Sequence, residues 1–281
     1  MKTILIPTDF SSTALNAAKY ISDMCQKIGT ERIILYHSYE IIHPDMILLT
    51  DILVPPPSQL KELKDEAIKS LTVVKKTLIP LLNRNIAIDF VADDLPIIKG
   101  INEIIIKESV NLVTIGISGM GNKGKNIIGS NTLKIMKECK TSLLIVPSAA
   151  TFNGIKKSML AVNLHNIANT LPVAQLKELM LKLSSKLLVV NVEHHENMDA
   201  DILMKEETNL HHLLNGLDTE YDYLDNKNKV EGLLMFAEKR RINLAIVVHK
   251  RYALVEQLFH TSITKKLAIK TTVPLIILHK N

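Results

Sequence analysis

The chain has 281 residues, of which 47% are hydrophobic and 22% are charged, and its 34 basic and 29 acidic residues leave a net charge of +5. This composition is typical of a folded globular protein and excludes a disordered or low-complexity chain. Because the sequence has no tryptophan and only short basic runs, we expect neither a base-stacking surface nor a nucleic-acid partner.

The first half of the chain alternates short β-branched runs with longer amphipathic runs. The pattern predicts strands at Thr3–Pro7, Arg32–His37, Ala87–Val91, Leu112–Ile115 and Ser142–Val146. Between them it predicts helices near residues 12–28, 59–84, 96–109 and 130–139. Strands that alternate with helices indicate a parallel sheet with helices on both faces.

The same order returns after residue 155, with strands predicted near residues 157–162, 186–192, 219–224, 244–248 and 274–278. The two halves align without gaps in two blocks, so that Asp9 falls on Asn163 and Gly100 falls on Gly232. A spacing kept over so many elements, at a period too long for a solenoid, predicts a domain duplication. We place the first domain at residues 1–150 and the second at residues 151–281, with a linker near Ser148–Gly154.

The first half carries an insertion between its second and third strands, and Ile41–Pro57 is the main part of it. This segment is apolar and ends in three consecutive prolines, which block regular structure. Because an ordinary surface loop does not hold so many isoleucine, leucine and valine residues, we expect the segment to pack on a partner domain or subunit, or to cover a pocket.

The most informative stretch follows the fourth predicted strand and opens the next helix. It reads Ile115-Gly116-Ile117-Ser118-Gly119, then nine residues, then Gly129-Ser130-Asn131. Glycine lets a backbone approach a ligand without a Cβ in the way, and the start of a helix offers unpaired N–H groups and a partial positive charge. The Ser130 hydroxyl adds a contact to a phosphate or a bound metal. The pattern therefore predicts an anion site.

A second part of the site is expected at the end of the first strand. In an open parallel sheet, ligands bind beyond the carboxyl ends of the strands, where the strand order reverses. We expect Pro7-Thr8-Asp9 to face Ile115-Gly116 there, with Asp9 accepting hydrogen bonds from ribose hydroxyls or an adenine amino group. An alternative stays open at this point, in which the run Asp9–Ser12 only caps the next helix.

The pattern Gly116-x2-Gly119-x9-Gly129-Ser130, together with the start Ile6-Pro7-Thr8-Asp9-Phe10-Ser11, resembles the ATP-binding class of the universal stress protein family. The resemblance covers residues 1–148. It excludes a Walker P-loop, because Gly-Lys-Ser/Thr is missing, and a dinucleotide fingerprint, which would follow the first strand. It implies two tandem five-stranded parallel-sheet α/β domains of adenine-nucleotide-α-hydrolase-like topology, Rossmann-like with a flavodoxin-like strand order.

The resemblance also implies which residues hold the nucleotide. The positions that match the family's adenosine pocket are Pro7, Thr8, Asp9, Ser38, Ile115 and Gly116. Those that match its phosphate site, often with Mg or Mn bound through the phosphates and Ser130, are Gly119, Gly129, Ser130 and Asn131. Ser38 departs from the family pattern because a small apolar residue is common there, and Asn131 departs because valine is frequent.

Pairing through the last strand is a further implication of the resemblance. Family members commonly dimerise through the strand that matches Ser142–Val146, whose counterpart in the second half is Pro274–Leu278. Apolar edge strands of this kind need covering. We therefore expect the two domains to pair about a pseudo-twofold axis, so that one chain is a pseudo-dimer, with a four-domain assembly of two chains as the alternative.

The second half keeps the predicted strands and helices of the first half, but its motif residues differ. The motif glycines are replaced by Val248, Arg251 and Thr261, and the first-strand motif is replaced by Ala161-Val162-Asn163. We predict that this half does not bind ATP in the family's manner. Weak candidates for a metal or anion site near its crevice are His165, His194 and His249, with His260 close by, and the alternative is that these are ordinary polar residues.

These features predict a stress-response regulatory protein that binds ATP or another adenine nucleotide in its first domain, with a nucleotide-dependent conformation or association that partners read. The alternative is a scaffold or interaction module without a nucleotide. We expect no enzyme beyond slow ATP hydrolysis, because no catalytic triad or paired carboxylates are evident. An adenylating ligase would need a Ser-Gly-Gly loop where Asp9–Thr13 stand.

The remaining sequence features predict a cytoplasmic location. The apolar stretch at the start is too short for a secretory signal, because it meets Pro7 and Asp9 at once. No segment reaches the roughly 18 apolar residues of a membrane helix, so we expect no membrane partner. Cys25 and Cys139 lie on predicted helices far apart in sequence, and we expect both to be buried free thiols.

Overall fold

A computed structural model describes residues 1–39, 57–82, 85–118, 129–193, 200–249 and 263–280 of the chain. The strands in these residues are β1 Thr3–Pro7, β2 Arg32–Ser38, β3 Ala87–Asp93, β4 Leu112–Ile117, β5 Ser142–Pro147, β6 Lys157–Val162, β7 Lys186–Glu193, β8 Thr219–Asp225, β9 Leu244–His249 and β10 Leu275–His279. The helices are α1 Ser12–Ile28, α2 Pro57–Leu78, α3 Ile97–Lys107, α4 Ser130–Glu138, α5 Ile167–Thr170, α6 Val173–Leu183, α7 Ala200–Leu213, α8 Lys229–Lys239 and α9 Ile263–Lys270.

Every strand predicted from the sequence is present, with ends within about two residues of the prediction. The four predicted helices of the first half are also present. One of them, α2, ends at Leu78 and passes into a 3-10 turn at Ile79–Leu81, although the pattern ran on to residue 84. The cause is Pro80, which has no N–H to donate and restricts the residue before it.

The strands form one sheet in the order β3-β2-β1-β4-β5-β10-β9-β6-β7-β8. Pairs within each half are parallel, whereas β5 and β10 are antiparallel, with Leu275 opposite Ile145 and Ile277 opposite Leu143. The predicted pairing between the last strands of the two halves is therefore confirmed within a single chain. From either edge of the sheet inward, each half has its third, second, first, fourth and fifth strand in that order.

The parallel, Rossmann-like α/β fold class is confirmed, and the pairing of β1 defines its strand order. Since β1 lies between β2 and β4, the order in each half is the Rossmann order 3-2-1-4-5. The flavodoxin-like order, in which the third strand would pair with the first, is wrong. Burial gives the reason, because β3 has a single buried residue and carries Asp89 and Asp93, whereas β4 is buried along nearly its whole length.

Apolar side chains pack on both faces of the sheet. The helices on one face are α1, α2, α5, α6 and α7, and those on the other are α3, α4, α8 and α9. Each of the two cores takes residues from both halves, such as Ile4 and Leu160 on one face and Leu5 and Met159 on the other. The division of the chain at residue 150 stays a prediction, but the cores are continuous across it.

The predicted linker Ser148–Gly154 is held against α1. The side-chain amide of Asn16 donates to the carbonyl oxygens of Pro147 (3.2 Å) and Ala150 (3.0 Å). The ring of Phe152 meets that of Tyr20 edge-on, with 5.5 Å between centroids. The insertion Ile41–Pro57 lies outside the described residues except at Pro57, where α2 begins.

Both cysteines are buried free thiols, as the sequence predicted. Burial raises the pKa of the Cys25 thiol to about 12 and that of the Cys139 thiol to about 11, so both are protonated at neutral pH. In the described ranges, no helix combines the length and the apolar character needed to cross a bilayer.

Ile276 tests whether the two halves unfold as one unit, because it is fully buried in β10 opposite Leu144 of β5. We expect Ile276→Ala to lower the free energy of unfolding by about 2–5 kcal/mol, since it leaves a cavity in a core that both halves share. Circular dichroism and tyrosine fluorescence should report one urea transition. Ile106→Ala, at a side chain that is 69% exposed, should change stability by less than about 0.5 kcal/mol. Two separate transitions for Ile276→Ala would contradict a shared core.

Candidate functional site

A cleft of about 520 Å³ opens at the carboxyl ends of β1 and β4, next to the first turns of α1 and α4. The strand order of the first half reverses here, because the chain leaves β3 on one side of β1 and returns as β4 on the other. The predicted site residues that line the cleft are Pro7, Thr8, Asp9, Ser38, Ile115, Gly116, Gly129 and Asn131. Ser130 is the first residue of α4, and Gly119 lies outside the described residues.

The chain leaves β1 through a tight turn beside the cleft. The N–H of Thr8 donates to the Tyr36 carbonyl (2.8 Å), which extends the ladder between β1 and β2. The N–H of Phe10 donates to Thr8 Oγ1 (3.0 Å), and the N–H of Ser11 donates to Asp9 Oδ1 (3.0 Å). Phe10 has a φ of 63°, a left-handed conformation that costs a bulky residue about 1–3 kcal/mol.

The helix-capping role that the sequence left open for this run belongs to Ser11. Ser11 Oγ accepts the N–H of Ala14 (3.2 Å) at the N-cap of α1. Asp9 instead closes an Asx turn with one carboxylate oxygen and lines the cleft with an exposed side chain. No bond to Asp9 Oδ2 is found within the described residues, so this oxygen is available to a ligand.

A short polar network holds the β2 side of the cleft. Ser38 Oγ donates to the Leu95 carbonyl (2.6 Å). Asp93 Oδ1 accepts the Tyr36 hydroxyl (2.8 Å) and the Leu95 N–H (3.2 Å). Burial raises the pKa of Asp93, and the bonds from Tyr36 and Leu95 oppose that rise. The serine at position 38 therefore does not present an unpaired hydroxyl to the cleft.

The sequence reasoning missed His37, which lines the cleft from β2. Its Nδ1 lies 2.8 Å from the Thr8 carbonyl oxygen, so Nδ1 carries a hydrogen and donates it. Its ring lies 4.4 Å from the Phe10 ring, tilted by 39°. The sequence signal that could have found His37 is its position next to Ser38, at the end of a strand that was expected to reach the site.

Packing within the protein is a reason for Gly116. A Cβ at this position would lie 2.4 Å from the carbonyl oxygen of Thr13 and 2.8 Å from its carbonyl carbon. Ligand access, for which the sequence predicted this glycine, stays a prediction, and packing against Thr13 is a separate requirement for it. The space that a side chain would fill is occupied by the backbone of the first turn of α1.

Gly129 and the start of α4 have a different geometry. Gly129 has φ −57° and ψ 141°, which any residue adopts, and the one neighbour near a Cβ there is Thr132 Oγ1 at 3.7 Å. Among the described residues no side chain caps α4, and its first turn holds no acidic residue. The N–H groups of that turn therefore lack partners within the helix, and the positive end of the helix meets the cleft. A helix start of this kind suits an anion.

The second half repeats two backbone contacts of the first. Asn163 Oδ1 accepts the N–H of His165 (3.1 Å), as Asp9 does for Ser11. Asn191 Nδ2 donates to the Val162 carbonyl (3.2 Å), as His37 does to Thr8. These contacts hold the turn after the strand in both halves, so they do not by themselves indicate a ligand.

Charged side chains lie where the second half would need a cleft. Lys229, aligned with Ile97 of the first half, places Nζ 3.3 Å from Glu193 Oε1. His165 Nε2 lies 3.7 Å from the same oxygen. Within the described ranges, no three histidine, cysteine or acidic side chains are grouped as a metal site. His194 and His260 fall outside those ranges, as does the side chain of His249.

A second cavity, of about 310 Å³, lies between α6 and the residues that precede β1, β4 and β5. Much of its polar lining is bonded within the protein. Asn111 Oδ1 accepts the N–H groups of Lys2 (2.8 Å) and Thr3 (3.0 Å), and Thr141 Oγ1 donates to the Val110 carbonyl (3.2 Å). The cleft at β1 and β4, with its uncapped helix start, is the stronger candidate for a ligand site.

Comparison with known proteins matches residues 1–147 to the universal stress protein family. A universal stress protein from Archaeoglobus fulgidus aligns with a TM-score of 0.77 and 18% identity over 99% of this chain and 98% of that chain. A putative universal stress protein from Pseudomonas aeruginosa aligns with a TM-score of 0.65 and 12% identity over 99% and 93%. A functionally unknown protein from that species aligns with a TM-score of 0.66 and 11% identity over 100% of this chain and 93% of that chain. At these identities the likeness shows the fold across both halves. The curated proteins contain no match.

Alanine substitutions at Gly116 and Gly129 test whether each glycine is required for packing within the protein. Gly116→Ala should lower the free energy of unfolding by about 1–3 kcal/mol, because its Cβ has to displace the backbone of Thr13. Gly129→Ala should change it by less than about 1 kcal/mol, because the position is open and its φ suits alanine. Urea denaturation of the ligand-free variants measures both values. Equal losses would contradict the different reasons given for the two glycines.

Proposed function

Because this chain belongs to the universal stress protein family, we propose that it is a cytoplasmic stress-response regulator whose first half binds ATP or another adenine nucleotide. The binding unit in this proposal is residues 1–150, and residues 151–281 are its degenerate partner. The bound nucleotide shifts the population of a conformation or an associated state that other proteins recognise.

The proposal rests on an uncapped helix start and a carboxylate that line the same cleft. The first-turn N–H groups of α4 suit phosphate oxygens, and the carboxylate of Asp9 suits ribose hydroxyls or an adenine amino group. Ile97, Ile115 and Ile117 add apolar lining for a base. The cleft volume of about 520 Å³ lies within the range of small-molecule sites.

A divalent cation fits this site through the nucleotide. Mg²⁺ and Mn²⁺ prefer oxygen ligands, and Mg²⁺ is usually bound by substrate phosphates plus few protein groups. The Ser130 hydroxyl, at the first position of α4, is the protein group that we assign to such a cation. When bound, the cation neutralises phosphate charge.

We propose binding without efficient hydrolysis. Attack on a γ-phosphate needs a group that orients or deprotonates water on the phosphate side. The described lining holds one carboxylate, from Asp9 just after β1, and one imidazole, from His37 near the end of β2. Both lie on the proposed adenosine side, so we assign neither of them to activating a water at the phosphate end near α4.

The helix α1 supplies a route by which a nucleotide could affect association. Its N-cap Ser11 and its first-turn residue Thr13 lie beside the cleft, and further along it Asn16 and Tyr20 contact the linker to the second half. We propose that a change at the cleft moves α1 and so alters the junction of the two halves. The readout that we propose is a nucleotide-dependent position of α1.

A scaffold without a nucleotide is the second candidate function, and the second half favours it. The ion pair of Lys229 and Glu193 lies at positions equivalent to Ile97 and Tyr39, which line the cleft of the first half. We propose that this half contributes its strands and cores to the sheet and binds no nucleotide. Absorbance and mass spectra of freshly purified protein distinguish the two functions, because a nucleotide binder retains or takes up an adenine nucleotide and a scaffold does not.

Gly129→Val tests the phosphate position. The branched side chain would stand in front of the α4 N–H groups, in space that is open without a ligand. We expect at least a tenfold loss of ATP affinity by isothermal titration calorimetry, equivalent to about 1.4 kcal/mol, with a melting temperature close to that of the wild type. Unchanged ATP affinity in a folded variant would show that the start of α4 does not bind the phosphates.

Asp9→Asn tests the carboxylate while keeping the turn. An asparagine oxygen accepts the next-but-one N–H, as Asn163 does for His165, so the melting temperature should hold. The affinity for ATP should fall about tenfold, because the ligand loses a charged acceptor. Asn163→Asp, the reverse change in the second half, is the matched control and should leave ATP affinity unchanged. Equal affinity of Asp9→Asn and wild type would limit Asp9 to its turn.

A further inference from the structure

His37 is held from two sides at the cleft. Its Nδ1–H donates to the Thr8 carbonyl at 2.8 Å, and its ring packs on Phe10 with 4.4 Å between centroids. Both partners belong to the turn that carries Asp9. The ring orientation is therefore fixed by the same residues that form the proposed adenosine side of the site.

The bond to Thr8 determines what the other ring nitrogen can do. A carbonyl oxygen only accepts, so the hydrogen stays on Nδ1 in both the neutral and the protonated ring. Nε2 is then an acceptor when the ring is neutral and a charged donor when it is protonated. Within the described residues no protein group bonds to His37 Nε2, which leaves this nitrogen to a ligand in the cleft.

The second half shows what the same position does without a ligand. Asn191 keeps the bond to the preceding strand, through Nδ2 and the Val162 carbonyl. Leu164, the counterpart of Phe10, does not have a positive φ, whereas Phe10 has a φ of 63°. Asparagine thus suffices for the structural bond, and the imidazole together with the strained aromatic residue occurs in the half that keeps the site motif.

Charged and titratable groups near His37 lie on the turn after β1, just after β2 and at the end of β3. They are Asp9, Tyr39 and Asp93, and Oδ1 of Asp93 is bonded to Tyr36 and Leu95. The first turn of α1 has no acidic residue. Charged residues near the start of α2 are solvent-exposed: Lys61, Glu62, Lys64 and Asp65. Asp9 is thus the carboxylate that shares the cleft lining with His37.

We propose that His37 is a specificity-determining residue of the cleft, which bonds the nucleotide through Nε2. This inference rests on the proposed nucleotide function. With its hydrogen held on Nδ1 by Thr8, the ring presents Nε2 as an acceptor for a ribose hydroxyl or an adenine amino group, which are the groups proposed for this side of the cleft.

His37→Asn is the test, because the chain itself uses asparagine for the structural bond at Asn191. Isothermal titration calorimetry with ATP is run on the full chain. We expect the variant to bind about tenfold more weakly than the wild type, because one hydrogen bond to the ligand is lost. Its melting temperature should stay close to that of the wild type, because asparagine keeps the structural bond.

Two controls keep the outcomes separate. Asn191→His, which puts an imidazole at the equivalent place in the second half, should leave ATP affinity unchanged. Nitrogen NMR of histidine-labelled wild type should show an ATP-dependent shift of the His37 Nε2 signal, which holds even if the variant is less stable. Equal ATP affinities of the variant and the wild type, or no shift of Nε2 on ATP binding, overturn the role of His37 alone. Absence of ATP binding by the wild type overturns the proposed function itself.

Discussion

The contact between Thr13 and Gly116 fixes the geometry on which the candidate site depends. Since Gly116 has no side chain, the first turn of α1 lies directly on the end of β4, where a Cβ would be 2.4 Å from the Thr13 carbonyl oxygen. That approach places the turn of Asp9 and the cap of Ser11 along the same cleft as the start of α4. The absence of a side chain at Gly116 in this way determines whether the groups that line the cleft meet.

Much of the fold could be predicted because its signals are local. Each strand is a short apolar run bounded by turn residues, so its position follows from periodicity alone. The strand order needed a second signal that was also present, namely the difference between the acidic edge strand β3 and the buried β4. The end of α2 shows the same lesson at smaller scale, because Pro80 overrides an amphipathic pattern that continues past it.

The site was harder to predict because its contacts are not local. The sequence places Gly116 and Gly129 in one motif, yet one of them is required by α1 and the other is open. Nothing in the motif distinguishes them, since the difference lies in an α1 backbone about a hundred residues earlier in the sequence. His37 was missed for a related reason. Its role depends on Thr8 and Phe10, which become its neighbours only when β1 and β2 pair.

The duplication separates structural residues from ligand residues within one chain. Contacts that survive in both halves, such as Asn111 and Asn243 accepting backbone N–H groups before β1 and β6, hold the frame. Other positions differ between the halves, such as Ile97 in the first and Lys229 in the second. Every residue of β5 is buried, and β10 covers its edge. An apolar edge without that cover would be open to pairing with another chain. The need to cover β5 is therefore a reason for the chain to keep its second half that does not depend on a ligand there.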